Sequence, residues 1–290
     1  MKSPQLEIRV IDSAEHAQAR RRELHIDRQT ARRLGEEAVR YIEQGWYPAQ
    51  CGRRVDWSEA VERAREGTVG IPPDADLSAA PSTSHPVLAV EVANETALTS
   101  ARRLVAAGRR PLVLNMANGV HPGGGFLHGA RAQEESLCRS SALYATLVGD
   151  PMYAAHARRP LPDSTDWAIL SPDVPVFRDD EGAALDQPWP TSFITCAAPY
   201  APGVGQPAAG DLLDARIGRL LQIARAYGYT SLVLGAWGCG AFGNDPVRTA
   251  ASFRRRIEHD AGAFEHITFA ITDWSPERRL LSPFAAAFSS

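Results

Sequence analysis

The spacing of apolar residues changes character near residue 87. Beyond it, short apolar runs alternate with longer segments that are apolar on one side only, which predicts buried strands and surface helices. The predicted strands are 87–92, 112–116, 167–170, 174–177, 192–197, 231–235 and 266–271. The predicted helices are 94–108, a segment from Gln133 to about 148, 211–227 and 246–260. Strands that alternate with helices predict an α/β fold with a layered sheet.

The first 85 residues have a different texture, rich in Arg, Glu and Ala. Apolar positions in 13–44 follow a helical stripe only roughly, so we expect one or two surface helices, the second ended by Gly45. A further helix is predicted over 56–66, with Asp56 or Ser58 as its N-cap. The stretch 71–86 is rich in Pro, Asp and Ser and predicts a connector. We therefore expect a helical N-terminal extension, 1–85, packed on the core of the domain 86–290.

Composition and charge narrow the class of protein. With 44% hydrophobic and 22% charged residues, the chain is typical of soluble globular proteins. A formal net charge of −3 gives no general attraction to double-stranded nucleic acid or to an anionic membrane. No apolar run reaches the roughly 18 residues of a membrane span, and the N-terminus lacks the apolar stretch of a signal peptide. We therefore expect a cytoplasmic protein without a membrane partner.

The four cysteines are scattered and show no CxxC spacing: Cys51, Cys138, Cys196 and Cys239. Reduced thiols are expected for such a pattern, in agreement with a cytoplasmic location. No cluster of His, Cys and carboxylate residues has the spacing of metal ligands, so we expect neither a metal site nor a cofactor.

The stretch 112–144 concentrates the residues that could carry chemistry. Its predicted strand contains Asn115 and leads into a loop that begins with Asn118 and ends in three glycines: Gly123, Gly124 and Gly125. Consecutive glycines lose much entropy on ordering, so they suggest a backbone that approaches a ligand closely. Seven residues later a predicted helix opens with Gln133, Glu134 and Glu135. The two carboxylates would face whatever the glycine loop holds.

Each part of this stretch also has a simpler explanation. A glycine triplet alone is more often a mobile loop, and acidic residues at a helix start stabilise the helix dipole by roughly 0.3–1 kcal/mol. A strand, two asparagines, the glycine triplet and the acidic pair all fall within 112–144. Chance explains such a combination poorly, and we interpret the stretch as a ligand site.

A second glycine-rich stretch follows the predicted strand 231–235. Its glycines fall within nine residues: Gly235, Gly238, Gly240 and Gly243. Glycines between a strand and a helix that Pro246 begins are typical of a phosphate-binding loop, because backbone N–H groups point at the anion. Residues 238–243 also match GxGxxG, but a dinucleotide-binding fold places that motif early, with several strands after it. Only strand 266–271 follows here, which disfavours an oxidoreductase.

The glycine triplet, a seven-residue spacer and Gln-Glu-Glu together resemble the signature of the poly(ADP-ribose) glycohydrolases. The sequence GGGFLHGARAQEESLCRSS is similar to the bacterial-type members. The resemblance covers about residues 87–288 and implies a macrodomain-like three-layer α/β/α fold with a mixed central sheet, so 86–290 would be the catalytic domain. It also implies that the loop GAWGCGAFGND binds a diphosphate, that Phe242 packs against the terminal ribose, and that Asn118 contacts a ribose hydroxyl.

The implied reaction breaks the bond between the anomeric carbon of one ribose and a hydroxyl of the next, through an oxocarbenium-like state. Glu134 and Glu135 cannot flank the ring on opposite faces, because neighbours on a helix point about 100° apart. One of them can serve as acid and then as base while the other holds hydroxyls. The family pattern assigns catalysis to Glu135 and ribose positioning to Glu134.

The implied substrate contacts lie in the two glycine-rich stretches: Asn118, Gly123, Gly124, Gly125, Gln133, Gly235, Gly238, Cys239, Gly240, Ala241, Phe242 and Gly243. The implied activity is hydrolysis of ribose–ribose O-glycosidic bonds in poly(ADP-ribose), mainly from chain ends, which releases ADP-ribose. ADP-ribosylated proteins would carry the polymer. Two alternatives stay open: a non-catalytic macrodomain that binds ADP-ribose and needs no Gln-Glu-Glu, and a hydrolase of single ADP-ribose units.

Other residues near these stretches have structural interpretations. His121 and His128 flank the glycines without a carboxylate at relay spacing, so we expect them on the loop surface. Cys239 has no histidine at a spacing that suggests a catalytic thiol, and a small packed residue is expected there. For the adenine, Ile271 and Thr272 at the end of the last strand are the suggested contacts.

Overall fold

A computed structural model describes residues 5–78 and 84–289. Within these residues, ten strands form a sheet of eight and a separate pair. The strands are β1 (Gln5–Ile11), β2 (Trp46–Pro48), β3 (Arg54–Asp56), β4 (Val69–Ile71), β5 (Val87–Ala93), β6 (Pro111–Ala117), β7 (Ala168–Arg178), β8 (Ala184–Ala197), β9 (Ser231–Leu234) and β10 (His266–Ala270). The large sheet has the spatial order β1-β5-β10-β9-β6-β8-β7-β4.

Neighbouring strands from β1 through β8 in this order run parallel. β7 pairs antiparallel with β8, and β4 pairs antiparallel with β7. The central parallel strands are apolar runs buried on both faces, as expected for strands that helices cover on each side. Because the carboxyl ends of parallel strands meet at one edge, the loops that leave β6, β8, β9 and β10 lie together.

The α-helices of the described chain are α1 (Ala14–Glu23), α2 (Arg28–Gln44), α3 (Ser58–Glu66), α4 (Ala97–Ala106), α5 (Gln133–Ser140), α6 (Leu143–Leu147), α7 (Pro151–Ala157), α8 (Ala201–Val204), α9 (Ala208–Ala226), α10 (Pro246–Asp260) and α11 (Leu281–Ser289). Helices α9, α10 and α11 pack on one face of the sheet, in a core that includes Ile217 and Phe253. Helices α2 to α7 pack on the other face, in a core that includes Phe126 and Phe177. This three-layer arrangement confirms the predicted macrodomain-like fold.

Local signals explain several helix ends. The Asp27 side chain accepts a hydrogen bond from the Thr30 N–H at the start of α2. Gly45 ends the same helix with φ of 75°, the left-handed conformation that glycine adopts at little cost. The two N-caps suggested for α3 are wrong, because Trp57 holds that position and makes no side-chain cap.

Two predicted elements have different limits in the structure. The helix predicted from Gln133 to about 148 is two helices, α5 and α6, because Ser141 between them is extended and bridges to Val176 of β7. The apolar runs 167–170 and 174–177 belong to one strand, β7, which continues through a register shift. Both differences arise from strand pairing, which the local pattern of the sequence does not reveal.

The N-terminal segment contains helices α1 to α3 and also contributes two strands to the large sheet. β1 pairs with β5, with Gln5 opposite Val87, and β4 pairs with β7 at the other edge. These strands escape prediction because β4 has three residues and β1 places Glu and Arg between its apolar residues. The boundary between an extension and a domain at residue 85 stays a prediction. Residues 79–83 of the predicted connector lie outside the described residues.

Candidate active site

The residues predicted to bind and react gather at the carboxyl ends of β6 and β9. These two strands are parallel neighbours in the sheet. The chain leaves β6 for α5 on one face of the sheet and leaves β9 for α10 on the opposite face. A reversal of this kind opens a crevice between the two loops, and ligands of open α/β sheets bind in such crevices.

Glu134 is held by the end of β6. Its Oε2 accepts a hydrogen bond from the Asn118 N–H at 2.7 Å, and its Oε1 lies 3.4 Å from Asn115 Nδ2. Burial and the neighbouring charge of Glu135 raise the pKa of Glu134 to about 8, although the hydrogen bonds from Asn118 and Asn115 act in the opposite direction. A carboxyl with a pKa raised to this range favours its protonated form at neutral pH.

Glu135 lies against the glycine triplet. Its Oε1 accepts a hydrogen bond from the Gly125 N–H at 3.0 Å. Its Oε2 is buried and has no hydrogen-bond partner among residues 5–78 and 84–289. A buried polar atom without a partner costs free energy, so this oxygen gains most from a substrate group that reaches it.

Gly124 faces both carboxyl groups. A Cβ at this position would lie 2.5 Å from Glu135 Oε1 and 2.9 Å from Glu134 Oε2, and φ is +59°. At Gly123, φ is +70° and a Cβ would lie 3.0 Å from the Phe126 ring. The triplet thus brings bare backbone to the acidic pair, in a conformation that only glycine adopts at little cost.

Asn118 shapes the start of the loop. Its Oδ1 accepts hydrogen bonds from the N–H groups of Val120 and His121 at 2.9 and 3.0 Å, which closes a tight turn. Its side chain is only partly buried, so the amide nitrogen can still meet a ligand at the crevice.

His156 anchors the same loop from the side of α7, and sequence reasoning missed it. Its Nδ1 lies 3.0 Å from the Gly119 carbonyl oxygen, and its Nε2 accepts a hydrogen bond from the Thr165 N–H at 3.1 Å. Nδ1 therefore carries the hydrogen, and the imidazole is neutral. Burial lowers the pKa of His156, which favours the same neutral form. A lone histidine in a segment without a motif gave no signal for this role.

Gln133 and Asn115 are tied to the sheet. The Gln133 Oε1 accepts from the Met116 N–H at 2.9 Å and its Nε2 donates to the Leu114 carbonyl at 2.7 Å, so it continues the backbone pairing of β6. Asn115 is fully buried and donates to Thr195 Oγ1 at 3.2 Å. Gln133 thus fixes the start of α5, and its predicted substrate contact stays a prediction.

The loop after β9 offers backbone donors. Among its N–H groups that donate to no protein acceptor in the part of the chain that the structure describes are those of Gly238, Gly240, Ala241 and Phe242. Asn244 closes the loop from inside, since its Nδ2 donates to the Pro199 carbonyl at 2.9 Å. Free N–H groups just before the N-terminus of α10 are the donors that a phosphate-binding loop needs, and the predicted diphosphate contact stays a prediction. Gly235, at the base of the loop, packs closely against the neighbouring strands β6 and β10: a Cβ there would lie 3.1 Å from Met116 Cε and 3.1 Å from the Ala270 carbonyl oxygen.

Phe242 and Cys239 occupy different environments within that loop. The Phe242 ring is partly buried and meets the Tyr200 ring edge-on, with centroids 5.9 Å apart. The Phe242 carbonyl also accepts a hydrogen bond from the Ala201 N–H at 2.9 Å. Cys239 is buried, and burial raises the pKa of its thiol to about 11. A protonated, buried thiol fits a small packed residue and not a nucleophile.

The remaining candidates lie outside the acidic crevice. His121 and His128 are exposed, and Ile271 belongs to the hydrophobic core. Among the described residues, no group of three or more His, Cys, Asp or Glu side chains is placed to hold a metal ion. None of the helices in those residues is long and apolar enough to cross a membrane.

Sequence comparison identifies a family model that covers residues 35–179, that of the microbial-type PARG catalytic domain. No match was found among curated protein sequences. The X-ray structure of poly(ADP-ribose) glycohydrolase (PARG) from Thermomonospora curvata is 39% identical, with a TM-score of 0.84, and the match covers 89% of this chain and 99% of that one.

Two further solved structures show ligand complexes. The Thermomonospora curvata enzyme bound to the inhibitor ADP-HPD is 40% identical over 89% of this chain and 99% of that one, with a TM-score of 0.82. The Deinococcus radiodurans enzyme in complex with ADP-ribose is 39% identical over 79% of this chain and 96% of that one, with a TM-score of 0.73. The chain therefore belongs to the microbial-type poly(ADP-ribose) glycohydrolase family, and it is a glycoside hydrolase that acts on poly(ADP-ribose).

Proposed function

We propose that this protein cleaves ribose–ribose O-glycosidic bonds mainly at the ends of poly(ADP-ribose) chains and releases ADP-ribose, with Glu135 as the reacting carboxyl. Glu135 serves first as acid toward the leaving hydroxyl and then as base toward water. Glu134 holds the hydroxyls of the ribose whose bond is broken. The catalytic domain is 86–290, and the protein acts in the cytoplasm on polymer carried by ADP-ribosylated proteins.

The observation that carries this assignment is the difference between the two carboxyl groups. Both Glu134 oxygens have donors, from the Asn118 N–H and, more weakly, from Asn115. Glu135 has one oxygen fixed by Gly125 and one buried oxygen without a partner in the described residues. A reacting carboxyl needs both features: an orientation that the protein sets and an oxygen whose hydrogen-bonding capacity the protein leaves unused.

The proton for the acid step is available at neutral pH. Because the two carboxyl groups are buried side by side, ionising both at once is unfavourable, and the raised pKa of Glu134 reflects this. The pair therefore retains a proton that a bound ribose hydroxyl can relay between its members. As an oxocarbenium-like charge develops at the anomeric carbon, the ionised carboxyl of the pair stabilises it.

The second loop supports the choice of substrate. The free N–H groups of 238–242 suit the diphosphate of ADP-ribose, and no lysine is needed for such a cradle. This loop and the glycine triplet follow neighbouring strands. A diphosphate bound at residues 238–242 would therefore hold the attached ribose over Glu134 and Glu135. We expect the ring of Phe242, which is partly buried against Tyr200 and the core, to pack on that ribose as well.

Labelled poly(ADP-ribose) and mono-ADP-ribosylated protein, incubated separately with the enzyme, test the proposal. We expect ADP-ribose as the main product from polymer at early times; short oligomers at early times would contradict cleavage from chain ends. Glu135→Gln should lose turnover by about 10²-fold or more and still bind ADP-ribose. Glu258→Gln, an exposed change on α10, is the matched control. Binding without hydrolysis by the wild type would identify a reader instead.

A further inference from the structure

Helix α2 lies directly behind the loop that joins the glycine triplet to α5. Gly35, in the middle of α2, touches this loop: a Cβ there would lie 2.9 Å from the Phe126 carbonyl oxygen and 3.0 Å from Phe126 Cδ2. Contacts this short do not occur for real side chains, and the nearer of the two is backbone, which cannot rotate away. Gly35 therefore sets how closely α2 and the loop approach each other.

The start of α2 is hydrogen-bonded to the same loop, at the end of the loop that leads into α5. The Arg28 Nε donates to the His128 carbonyl at 2.9 Å, and the Arg131 Nη1 donates to the Ile26 carbonyl at 2.8 Å. Gly129, between these contacts, has φ of 77°, and the Arg28 carbonyl occupies the space that its side chain would fill. Two hydrogen bonds and a close backbone contact thus join residues 26–28 to 128–131.

A buried arginine ties α2 to α5 as well. The Arg178 Nη1 donates to the Leu34 carbonyl and to the Arg139 carbonyl, each at 2.8 Å, and its Nη2 pairs with Glu37 at 2.8 Å. The Arg139 side chain donates in turn to the Ala130 carbonyl at 2.7 Å. The helix that begins with the acidic pair and the loop before it are therefore both held against α2.

These contacts lead directly to the reacting carboxyl. Phe126, which meets Gly35, follows Gly125, and the Gly125 N–H holds Glu135 Oε1. The Phe126 ring also lies beneath Gly123 and is 1% exposed, so it cannot shift without moving the triplet. The family model begins at residue 35, within α2.

We propose that α2 is a positioning element of the active site, which sets the place of the Glu135 carboxylate through Gly35, Phe126 and Gly125. This inference rests on the proposed role of Glu135 and gives the N-terminal segment a part in catalysis. α2 touches neither carboxyl group itself, so it acts on the geometry of the reaction and not on the binding of the diphosphate. A displacement of about 1 Å at a reacting group can cost 10²-fold in rate.

Gly35→Ala tests the inference. The added methyl group must push the Phe126 carbonyl away, so we expect turnover of poly(ADP-ribose) per folded molecule to fall by about tenfold or more, with little change in the Kd for ADP-ribose. The matched control is Val61→Ala on α3, a buried change in the same core that destabilises the fold without contact to the loop. It should lower Tm and leave turnover per folded molecule unchanged.

A second variant keeps the test independent of the folding of the first. Arg28→Ala combined with Arg131→Ala removes exposed hydrogen bonds to the loop and should also reduce turnover, with partial recovery in Arg28→Lys combined with Arg131→Lys. Amide hydrogen exchange at Gly125 should accelerate in Gly35→Ala and in the double alanine variant of Arg28 and Arg131, and not in Val61→Ala. Unchanged turnover and unchanged Gly125 exchange would overturn the inference. A wild type that hydrolyses no polymer would instead refute the proposed function, and the exchange at Gly125 would then decide the inference alone.

Discussion

Gly124 and Glu135 are in direct contact, because a Cβ on Gly124 would lie 2.5 Å from Glu135 Oε1. Gly124→Ala would press a methyl group against the oxygen that the Gly125 N–H holds and so displace the Glu135 carboxyl, and φ of +59° adds backbone strain. We expect turnover to fall by about 10²-fold or more and ADP-ribose affinity to weaken. Gly262→Ala, with only Ser84 Oγ at 3.6 Å from the new Cβ, is the control. Wild-type turnover in Gly124→Ala would show that the position of the Glu135 carboxyl does not depend on this contact.

The raised pKa of Glu134 predicts a stability cost at neutral and alkaline pH. Its value of about 8 in the folded protein exceeds the ordinary 4.5, so the folded state binds the extra proton between these values. The free energy of unfolding therefore falls as pH rises from 4.5 to 8. Glu134→Gln removes the pH-dependent contribution of Glu134 to the free energy of unfolding. The Tm of the variant minus the Tm of the wild type should therefore be larger at pH 8 than at pH 5. Parallel Tm profiles of the two proteins would contradict the buried, protonated carboxyl.

His156 predicts a second pH dependence with the opposite sign. Burial lowers its pKa below 6.5, so the unfolded chain binds more protons as pH falls. The contribution of His156 to stability should decline below about pH 6.5, with a limiting slope of about 1.4 kcal/mol per pH unit, against the opposite slope that Glu134 contributes in this range. His156→Gln should be less stable at pH 7.5, and its deficit relative to the wild type should shrink towards pH 5.5. The exposed His259→Gln should show no such pH-dependent difference; a deficit of His156→Gln that is the same at both pH values would mean that His156 can be protonated in place.

Substitutions at Phe242 distinguish two roles of its side chain: contact with the ribose and anchoring of the loop. If its ring packs on the ribose over the acidic pair, Phe242→Ala should reduce turnover far more than ADP-ribose affinity, because the backbone donors of the loop remain. Phe242→Leu should keep more activity, since bulk matters more than aromaticity. The contact with Tyr200 offers the other role, an anchor of the loop. A lower Tm for Phe242→Ala with unchanged activity per folded molecule would favour the anchor.

Most strands and the long helices from residue 87 onward could be predicted because their apolar periodicity is strong and glycine or proline marks many of their ends, whereas the short helices α7 and α8 and the first half of β8 were not predicted. The limits of α10 at Pro246 and Asp260 agree with those predicted. The last helix, α11, was missed because it is short, and its contacts with α10 and β10 through Phe284 and Phe288 depend on the tertiary fold.

The residues of the acidic crevice were visible because they lie close together in sequence. The residues that hold them in place could not be predicted, because they are distant in sequence. Arg178 meets Leu34 across 144 positions of the chain, and His156 meets Gly119 across 37. Such contacts leave no local signature in one sequence. The difference between the two carboxyl groups could not be predicted either, because adjacent glutamates have the same chemistry in a sequence. Within the described residues both Glu134 oxygens meet donors, whereas Glu135 Oε2 has no hydrogen-bond partner.

The pairing of Gln5 with Val87 has a consequence for how the protein is made and handled. β1 leaves the ribosome long before β5, so this edge of the sheet closes only after some 80 further residues are available. A chain started at residue 86 would lack both β1 and β4 and would expose the backbone donors and acceptors of β5 and β7. Open strand edges of this kind recruit other chains. Residues 5–71 therefore cover the edges of β5 and β7, and we expect a chain that begins at residue 86 to associate with itself as well as to lose the helix that supports the glycine triplet.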